Sequence, residues 1–547
     1  MIFFYLLPIH YSLFPIHSSL SKGGILVNRL RQLHNLRLMV PIIVIGISTG
    51  ALTGTAVTVY RVIAYHTISF SESLYSFLQQ KPVFIAVAVP VLALIAVALR
   101  FIYKKYPSIK GGGISDTMGL VGGIFSFRWL RSFIGTFTLS LLNFLLGVPL
   151  GNEGPCVLMG ASVGKAVTRA LGKKGEVWSR YSITGGASSG FAAATGAPMT
   201  GIIFVIEEMH RRLSPVIIII TIVSVATCRI MTQILCPIFG ISPEIFHDIS
   251  IPPLSVSEMW IPLVTGIVLG LFSIVFLQAF RKINKFFNST LSRVDEGYKI
   301  FLILILTLIA GVFSYSFIST GHHLTEELFT HHALTAVVLI TIALRTVLSL
   351  SANSAGLTGG LFLPTLAVSA LTASVLSNVL IITGLIPEYY YTLVVVLGLV
   401  AGMSGIMNIP FTAVVFALEA LGCSTNLSAI IIAAGVSYMI AVLSHSESIN
   451  EFALERRIKK EHEGKKSKYV EYSVTVNKDS FAEGKELKDI FWPYKLFVLS
   501  VTHPEGGVRH SGYLQEGDVL RVGCNTYDED TTRAELLAIV GTNNNEK

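Results

Sequence analysis

The chain has 547 residues, of which 52% are hydrophobic and 14% are charged, and its mean hydropathy is +0.66. Soluble domains carry about 25% charged residues, so this composition excludes a soluble globular protein and predicts a polytopic membrane protein. The formal net charge is +8, but the basic residues form no basic face with interleaved aromatic residues. Nucleic acid is therefore not an expected partner.

Apolar runs recur along most of the chain. Several are shorter than the ~20 residues that a helix needs to cross ~30 Å of hydrocarbon. Short runs interrupted by glycine or proline are typical of broken helices that stop inside the membrane, where the freed backbone lines a cavity. The runs lie at about 39–63, 83–103, 129–150, 187–206, 215–239, 259–280, 299–318, 334–350, 359–384, 391–406, 409–421 and 427–444.

Basic residues flank the apolar region at both ends. Arg29, Arg31 and Arg37 precede the first run, and seven Arg and Lys residues between 456 and 468 follow the last. Because basic residues tend to stay on the cytoplasmic side, we expect a plasma-membrane protein with both termini in the cytoplasm. The basic runs would then contact membrane lipid.

The first 37 residues form a separate N-terminal segment. Residues 1–26 are apolar and aromatic, yet they lack the charged n-region and the small-residue cleavage site of a signal peptide. We therefore expect translation to start near Val27 or Met39.

An internal repeat divides the apolar region. Pro198–Glu207 aligns without a gap on Pro410–Glu419 at an offset of 212 residues, with Pro, Thr, Phe and Glu at the same places. Chance similarity between two apolar segments is the alternative. We favour a duplicated unit of about 200 residues with inverted topology, an arrangement that places substrates where broken helices meet. Gly190 aligns with Gly402 at the same offset, and Gly151 with Gly360 and Pro155 with Pro364 align at an offset of 209 residues.

Three glycine-rich motifs lie beside apolar runs, at 111–115, 151–155 and 359–364. Each can open a helix whose first N–H groups are unpaired, and such a helix start binds anions. Close helix packing by small residues is the alternative for any one motif. The second motif also places Glu153 at membrane depth, where an ionisable group usually marks an ion path.

The order Gly-x-Gly-Ile, Gly-x-Glu-Gly-Pro, Ile-Glu-Glu and Gly-x-Phe-x-Pro resembles the CLC family of chloride channels and chloride/proton antiporters. The resemblance covers roughly residues 38–458. It implies an all-α polytopic membrane domain over 38–454, built as an inverted-repeat bundle of broken, tilted helices. It also implies a homodimer in which each subunit has its own anion pathway.

By this resemblance, Glu153 is the gating glutamate, whose carboxylate can occupy an anion position and move aside when it is protonated or displaced. Gly151, Asn152 and Gly154 would supply the outer anion site. The alternative role for Glu153 is that of a helix-start anion alone.

The same resemblance assigns the central anion site to the backbone N–H groups of Leu361 and Phe362, with Gly112 and Asn450 on its inner side. The family has serine where this chain has Gly112 and tyrosine where it has Asn450. Asn152 also replaces the usual Lys or Arg. We therefore expect weaker central anion binding and looser coupling between anion and proton.

Glu208 resembles the family's internal proton-transfer glutamate. In the repeat, Glu207 aligns with Glu419 and is expected to be structural, whereas Glu208 aligns with Ala420 and is particular to one half. A solvated helix end is the alternative for Glu208.

A charged linker at 455–468 leads to a small α+β domain at 469–547. The pattern predicts strands at 469–476, 495–502 and 518–522, a short helix at 485–490, and a helix at about 528–540 capped by Thr526. The domain resembles the TrkA-C type regulatory domain of potassium-uptake systems. It would be cytoplasmic, with a cyclic dinucleotide as the leading ligand and simple dimerisation as the alternative.

Together these features predict a transporter and not an enzyme, moving chloride or another small anion under control of a glutamate gate and coupled to proton counter-transport. A passive chloride channel and a fluoride/proton antiporter are the alternatives, and a ligand sensor with a membrane anchor is a more distant one. The 14 histidines show no ligand spacing. Apart from the cyclic dinucleotide, we expect no cofactor and no metal.

Overall fold

The computed structural model describes most of the chain from Lys22 onward, with side chains from Met39. The chain divides into a short unit, 1–44, and a large unit, 45–547. The translation start near Val27 or Met39 stays a prediction. The described ranges are 22–172, 176–211, 213–246, 249–330, 335–462, 467–478, 480–487, 490, 492–493, 496–504, 506–510, 512–527 and 529–541.

From Lys22 to Glu461 the described residues are mainly helical. Nine helical stretches in the described ranges are long and apolar enough to cross a membrane, so the chain is a multi-pass membrane protein. The helices are α1 (Lys22–Gln80), α2 (Ile85–Lys105), α3 (Ile114–Val121), α4 (Trp129–Leu145), α5 (Glu153–Ala170), α6 (Glu176–Thr195), α7 (Pro198–Phe204), α8 (Pro215–Ile238), α9 (Trp260–Lys285), α10 (Glu296–Phe313), α11 (His322–Thr330), α12 (Thr335–Ser354), α13 (Phe362–Ile382), α14 (Tyr391–Met407), α15 (Pro410–Glu419), α16 (Leu427–Leu443) and α17 (Ile449–Glu461).

Two features of these helices bear on the prediction of broken helices. Helices α3, α7, α11 and α15 have only 8, 7, 9 and 10 residues, too few to cross the hydrocarbon. In contrast, α1 continues far beyond the predicted run 39–63 and ends at Gln80, close to Pro82, since a proline disfavours helix just before it. The predicted helical membrane architecture is confirmed, with the first helix underestimated.

The two halves of the repeat hold each other through a reciprocal pair of carboxylates. Glu207, just beyond α7, accepts hydrogen bonds from the N–H groups of Phe411 and Thr412 at 3.0 and 2.7 Å. Glu419, the last residue of α15, accepts from the N–H groups of Met199 and Thr200 at 2.8 and 2.7 Å. The end of each helix thus meets the start of the other, so α7 and α15 run antiparallel, as an inverted repeat requires.

The hydroxyl groups of Thr200 and Thr412 strengthen this arrangement. Thr412 donates to Glu207 at 2.6 Å and Thr200 donates to Glu419 at 2.8 Å. Each carboxylate therefore satisfies two helix-start N–H groups and one hydroxyl, and it lies at the positive end of a helix dipole. The Pro-x-Thr and Glu residues that align in the repeat therefore serve a structural contact between the two halves, as predicted for Glu207.

The three glycine-rich motifs meet at one junction. Gly151 and Gly360 exchange two backbone hydrogen bonds of 2.7 and 2.8 Å, and the N–H of Gly359 donates to the carbonyl of Gly111 at 3.2 Å. At Gly154, a Cβ would lie 1.8 Å from the carbonyl oxygen of Gly112. Only glycine allows so close an approach of two backbones, and the starts of α3, α5 and α13 are thereby brought side by side.

The C-terminal part forms a four-stranded antiparallel sheet in the order β1-β4-β2-β3, followed by helix α18 (Glu529–Val540). The pairing aligns Val470 with Cys524 and Leu496 with Cys524, so β4 is the centre of the sheet. Buried Leu520 and Val522 on β4 pack the domain core. The strands are β1 (Lys468–Thr475), β2 (Leu496–Thr502), β3 (Val508–Arg509) and β4 (Val519–Thr526).

Some local predictions for this domain need correction. The predicted helix at 485–490 is wrong at its start, because Glu486 pairs in a bridge with Tyr513, and 488–489 lie outside the described residues. The short strand β3 was not predicted, and β4 extends to Thr526. The Thr526 hydroxyl bonds to the Thr532 hydroxyl at 2.7 Å, within the first turn of α18.

Helix α18 also packs against the start of α6. Arg180 of α6 and Glu535 of α18 form an ion pair at 2.7 Å, and their side chains are only 4% and 16% exposed. Phe481, in the segment between β1 and β2, lies in ring contact with Trp178 and Tyr181. The C-terminal domain is thereby held on the helical domain by one buried ion pair and an aromatic cluster.

The reciprocal carboxylates predict a stability effect. Glu207→Ala removes three hydrogen bonds to one anion. We expect the free energy of unfolding to fall by about 1–3 kcal/mol, as measured by thermal unfolding of the purified protein. Glu419→Ala should give a similar loss because its contacts mirror those of Glu207. Substitution of the exposed Glu72 is the control, and a loss confined to one of the two repeat positions would contradict the pairing.

The glycine junction predicts a steric asymmetry. Gly154→Ala should prevent recovery of monodisperse protein on size-exclusion chromatography, because its Cβ would overlap the carbonyl of Gly112. Gly112→Ala should leave recovery unchanged, since the nearest atom to its Cβ would be 3.6 Å away. Equal recovery of the two variants would refute this account of the junction.

Candidate functional site

The site lies where three helices begin. The residues immediately before α3, α5 and α13 are Gly113, Asn152 and Leu361, and the glycine junction holds these residues together. Each helix start carries unpaired N–H groups and about half a positive charge from the helix dipole. Three such ends at one point form an environment that favours a negative charge.

Glu153 is the first residue of α5, and its side chain is fully buried at 0% exposure. No described side chain hydrogen-bonds to either carboxylate oxygen, and the donors that face the carboxylate are the backbone N–H groups of Glu153 itself and Leu363. A Cβ on Gly151 would lie 2.7 Å from Oε2 of Glu153 and 3.3 Å from the backbone nitrogen of Leu363. The carboxylate therefore lies between the starts of α5 and α13.

The predicted anion-site residues of this junction are brought together. Gly151, Gly154, Leu361 and Phe362 are all buried, and Gly151 bonds to Gly360, which directly precedes Leu361. Asn152 makes no side-chain cap on α5, and its buried Oδ1 has no partner among the described residues.

Aromatic rings close the junction on one side. Phe362 makes edge-to-face contacts with Phe191 and Phe416, at ring-centroid distances of 5.1 and 6.0 Å. Phe191 in turn stacks on Phe204 at 4.1 Å. Since Phe204 and Phe416 are equivalent positions of the repeat, both halves contribute to the wall beside the start of α13.

Arg61 is a residue that the sequence analysis missed. It lies in α1, donates hydrogen bonds to the backbone carbonyls of Ala193, Ser242 and Pro243, and attracts the Glu153 carboxylate electrostatically. It thus supplies a positive charge that Asn152 does not. The signal was available, because an arginine inside the apolar run 39–63 is unusual.

Glu208 lies in a π-helical turn, Val205–His210, that continues α7. Its side chain is 1% exposed, so it is not a solvated helix end. Oε1 accepts hydrogen bonds from the hydroxyl of Ser448 at 2.8 Å and from Nδ2 of Asn450 at 3.0 Å. A buried carboxylate with neutral donors can accept a proton without breaking an ion pair.

Asn450 therefore has a different neighbour from the one expected. The sequence analysis grouped it with the anion-site residues, but the structure pairs it with Glu208. The cause is local, because Ser448 caps α17 through the N–H of Asn450 at 3.2 Å and the short Asn450 side chain reaches Glu208 from the first turn.

Gly112, the remaining predicted residue, lies at the glycine junction beside the start of α3. That start is fixed by Asp116, which accepts a hydrogen bond from the N–H of Gly113 at 3.1 Å and is paired with Arg457 of α17. The charged side chains of α17 thus hold the inner part of the site. Sequence spacing offered no sign of this pairing across 341 residues.

Comparisons with known proteins agree on the architecture. A family model described as "Voltage gated chloride channel" matches residues 92–442. The fold is similar to a structure described as a slow cyanobacterial Cl⁻/H⁺ antiporter, with a TM-score of 0.69 and 20% identity over 77% of this chain and 98% of that one. It is also similar to a CLC-type fluoride/proton antiporter, with a TM-score of 0.61 and 19% identity over 74% and 95% of the two chains.

A eukaryotic CLC transporter is similar as well, with a TM-score of 0.62 and 15% identity over 77% of this chain and 75% of that one. Identities of this size establish the fold, whereas the family model covers well over half of the chain. The chain therefore belongs to the CLC, or voltage-gated chloride channel, family and is a membrane anion-transport protein of that family.

Proposed function

We propose that the protein exchanges chloride for protons, with Glu153 as the gate of the anion pathway. The observation that carries this proposal is the buried Glu153 carboxylate at three converging helix starts, where backbone N–H groups face it and no described side chain hydrogen-bonds to it. An anion entering the same field competes with the carboxylate for the free N–H groups. Protonation removes the carboxylate's charge and with it the attraction, so the gate responds to both ions.

Glu208 is the proposed internal proton carrier. It is buried, and its two described hydrogen-bond donors, Ser448 and Asn450, are neutral. Arg211 attracts it electrostatically but forms its ion pair with Glu451, so no direct ion pair among the described residues fixes the protonation state of Glu208. Glu207, its neighbour, is bound by three donors at the start of α15. The two adjacent glutamates thus have separate roles.

Passive chloride conduction is the second candidate. It is favoured by Gly112, which offers no side-chain hydroxyl, and by Asn450, which is engaged by Glu208 and not by the anion site. Fluoride/proton exchange is the third, favoured by Asn152 in place of a cation and by the similar fold of a fluoride/proton antiporter. A comparison of chloride and fluoride efflux from matched liposomes distinguishes a chloride-transporting protein from a fluoride-transporting one.

We also propose that the protein is a homodimer in the plasma membrane, with both termini in the cytoplasm. Apolar side chains on α8, α15 and α16 are exposed in the single chain, among them Ile230 at 56%, Phe411 at 63% and Ile431 at 52%. These helices come from both halves of the repeat, and a second subunit is the occupant that the family resemblance implies. The seven basic residues between 456 and 468 support a cytoplasmic C-terminus.

The C-terminal domain is proposed to be a TrkA-C-like regulatory domain that binds a small ligand, with a cyclic dinucleotide as the first candidate. Its contact with α6 supports a regulatory role, since α6 packs along α5, the helix that begins with Glu153. Simple dimerisation is the alternative. A thermal-shift titration of the purified protein with cyclic dinucleotides tests the ligand.

Liposome flux under a proton gradient tests the transport proposal. We expect the wild-type reversal potential to shift with the pH gradient, Glu208→Gln to abolish proton movement while anion flux persists, and Glu153→Gln to make anion flux independent of pH. Glu207→Gln is the matched control and should retain coupling. A wild-type potential that ignores every pH gradient would exclude exchange and favour the channel.

The contact between α6 and α18 predicts a domain-docking effect. Arg180→Glu should increase hydrogen exchange in α18 and at the start of α6, because the buried pair becomes two like charges. Combining it with Glu535→Arg should restore protection by reversing the pair. Protection unchanged in Arg180→Glu alone would mean that this ion pair does not hold the domain.

A further inference from the structure

We propose that the side-chain amide of Asn353 is an anion-binding donor beside Gly112 and helps to set the anion affinity of the pathway. The proposal rests on the Glu153-gated pathway described above and adds to it a residue on a different helix, α12. It is carried by three observations: room for a Cβ at Gly112, the amide nitrogen of the buried Asn353 at the edge of that room, and a fixed orientation of the amide.

The space is specific to Gly112. At its neighbour Gly113 a Cβ would lie 2.1 Å from the carbonyl oxygen of Gly154, and at Gly154 a Cβ would lie 1.8 Å from the carbonyl of Gly112. At Gly112 a Cβ would meet only two atoms within 4 Å, Nδ2 of Asn353 at 3.6 Å and the carbonyl oxygen of Gly359 at 3.7 Å. The glycine junction is thus tightly packed except at this point.

Asn353 lies near the end of α12 and is 2% exposed. The guanidinium of Arg456 donates to its Oδ1 at 3.1 Å and to its backbone carbonyl at 3.3 Å. Because arginine can only donate, the oxygen of the amide must face Arg456 and the nitrogen must face away. The assignment of the two amide atoms therefore follows from chemistry.

Arg456 is itself held from the other side. It donates to Oδ1 of Asn284 at 3.2 Å and lies over the ring of Phe280. Its hydrogen bond to Asn353 draws electron density from the amide and strengthens Nδ2 as a donor. Among the described residues no hydrogen bond from that nitrogen is present, so its N–H groups are available to a ligand.

An anion is the ligand that fits this donor. The N–H of Gly113 is already bound to Asp116, and the nearby Gly359 carbonyl is an acceptor that repels anions. The amide of Asn353 is therefore a side-chain donor beside Gly112 that can offer a hydrogen bond to chloride or fluoride, in addition to the backbone N–H groups of the helix starts. A neutral donor also binds an anion without the deep trapping that a fixed positive charge would cause.

The test uses full-length protein and chloride alone. Isothermal titration should show chloride binding weakened roughly tenfold or more in Asn353→Leu, the loss expected for a hydrogen bond to a charged group. Gly112→Ser in the same background should recover part of the affinity, because its hydroxyl enters the space that Nδ2 faces and the added Cβ meets no clash. Asn426→Leu is the matched control, because it removes a buried amide that bonds to the backbone of Pro252 and Leu254, and it should bind chloride as the wild type does.

Asn353→Asp keeps the shape and the Arg456 contact and is used if Asn353→Leu does not yield monodisperse protein. It places an acceptor where the donor was, so chloride affinity should fall at least as far. Unchanged affinity in either variant, or a loss that Gly112→Ser does not relieve, would overturn the role of Asn353. Absence of chloride binding and of anion flux in the wild type would instead overturn the proposed pathway itself.

Discussion

The two hydrogen bonds between Gly151 and Gly360 are the contact on which the rest of the structure depends. They join the starts of α5 and α13, which are equivalent helices of the two halves, and the third glycine motif closes against them through Gly112 and Gly154. Backbones that touch leave no room for side chains. What remains at the junction is a set of helix starts whose dipoles add, and a single carboxylate that belongs to one half only.

The same constraint explains how charges are tolerated in so apolar a protein. The guanidinium groups of Arg61 and Arg345 donate hydrogen bonds to backbone carbonyls at helix ends or in loops. Asp116 is paired with Arg457. Glu153 differs, since no described side chain hydrogen-bonds to its carboxylate; only backbone N–H groups face it, and Arg61 attracts it from a distance. An unpaired buried charge costs free energy unless something exchangeable compensates it, and mobile ions are the compensation that a pathway provides.

Much of the architecture was predictable because it leaves local traces. The glycine motifs mark close backbone approach, and the repeated Pro-x-Thr and Glu mark a cap that each half must supply. The contact of Asn450 with Glu208 was not predictable, since it depends on how α17 packs against the π-helical turn after α7. Arg61 and Asn353 were missed for a similar reason: their roles depend on contacts 132 and 103 residues away along the chain.

The reciprocal carboxylates also bear on how such a chain can have arisen. Glu207 satisfies the start of α15 and Glu419 satisfies the start of α7, so neither half contains the acceptor that its own helix needs. A single ancestral unit would have found that acceptor only in a second, oppositely oriented copy. Gene fusion would then have preserved a contact between two separate polypeptides. Later changes confined to one half could accumulate without breaking that contact.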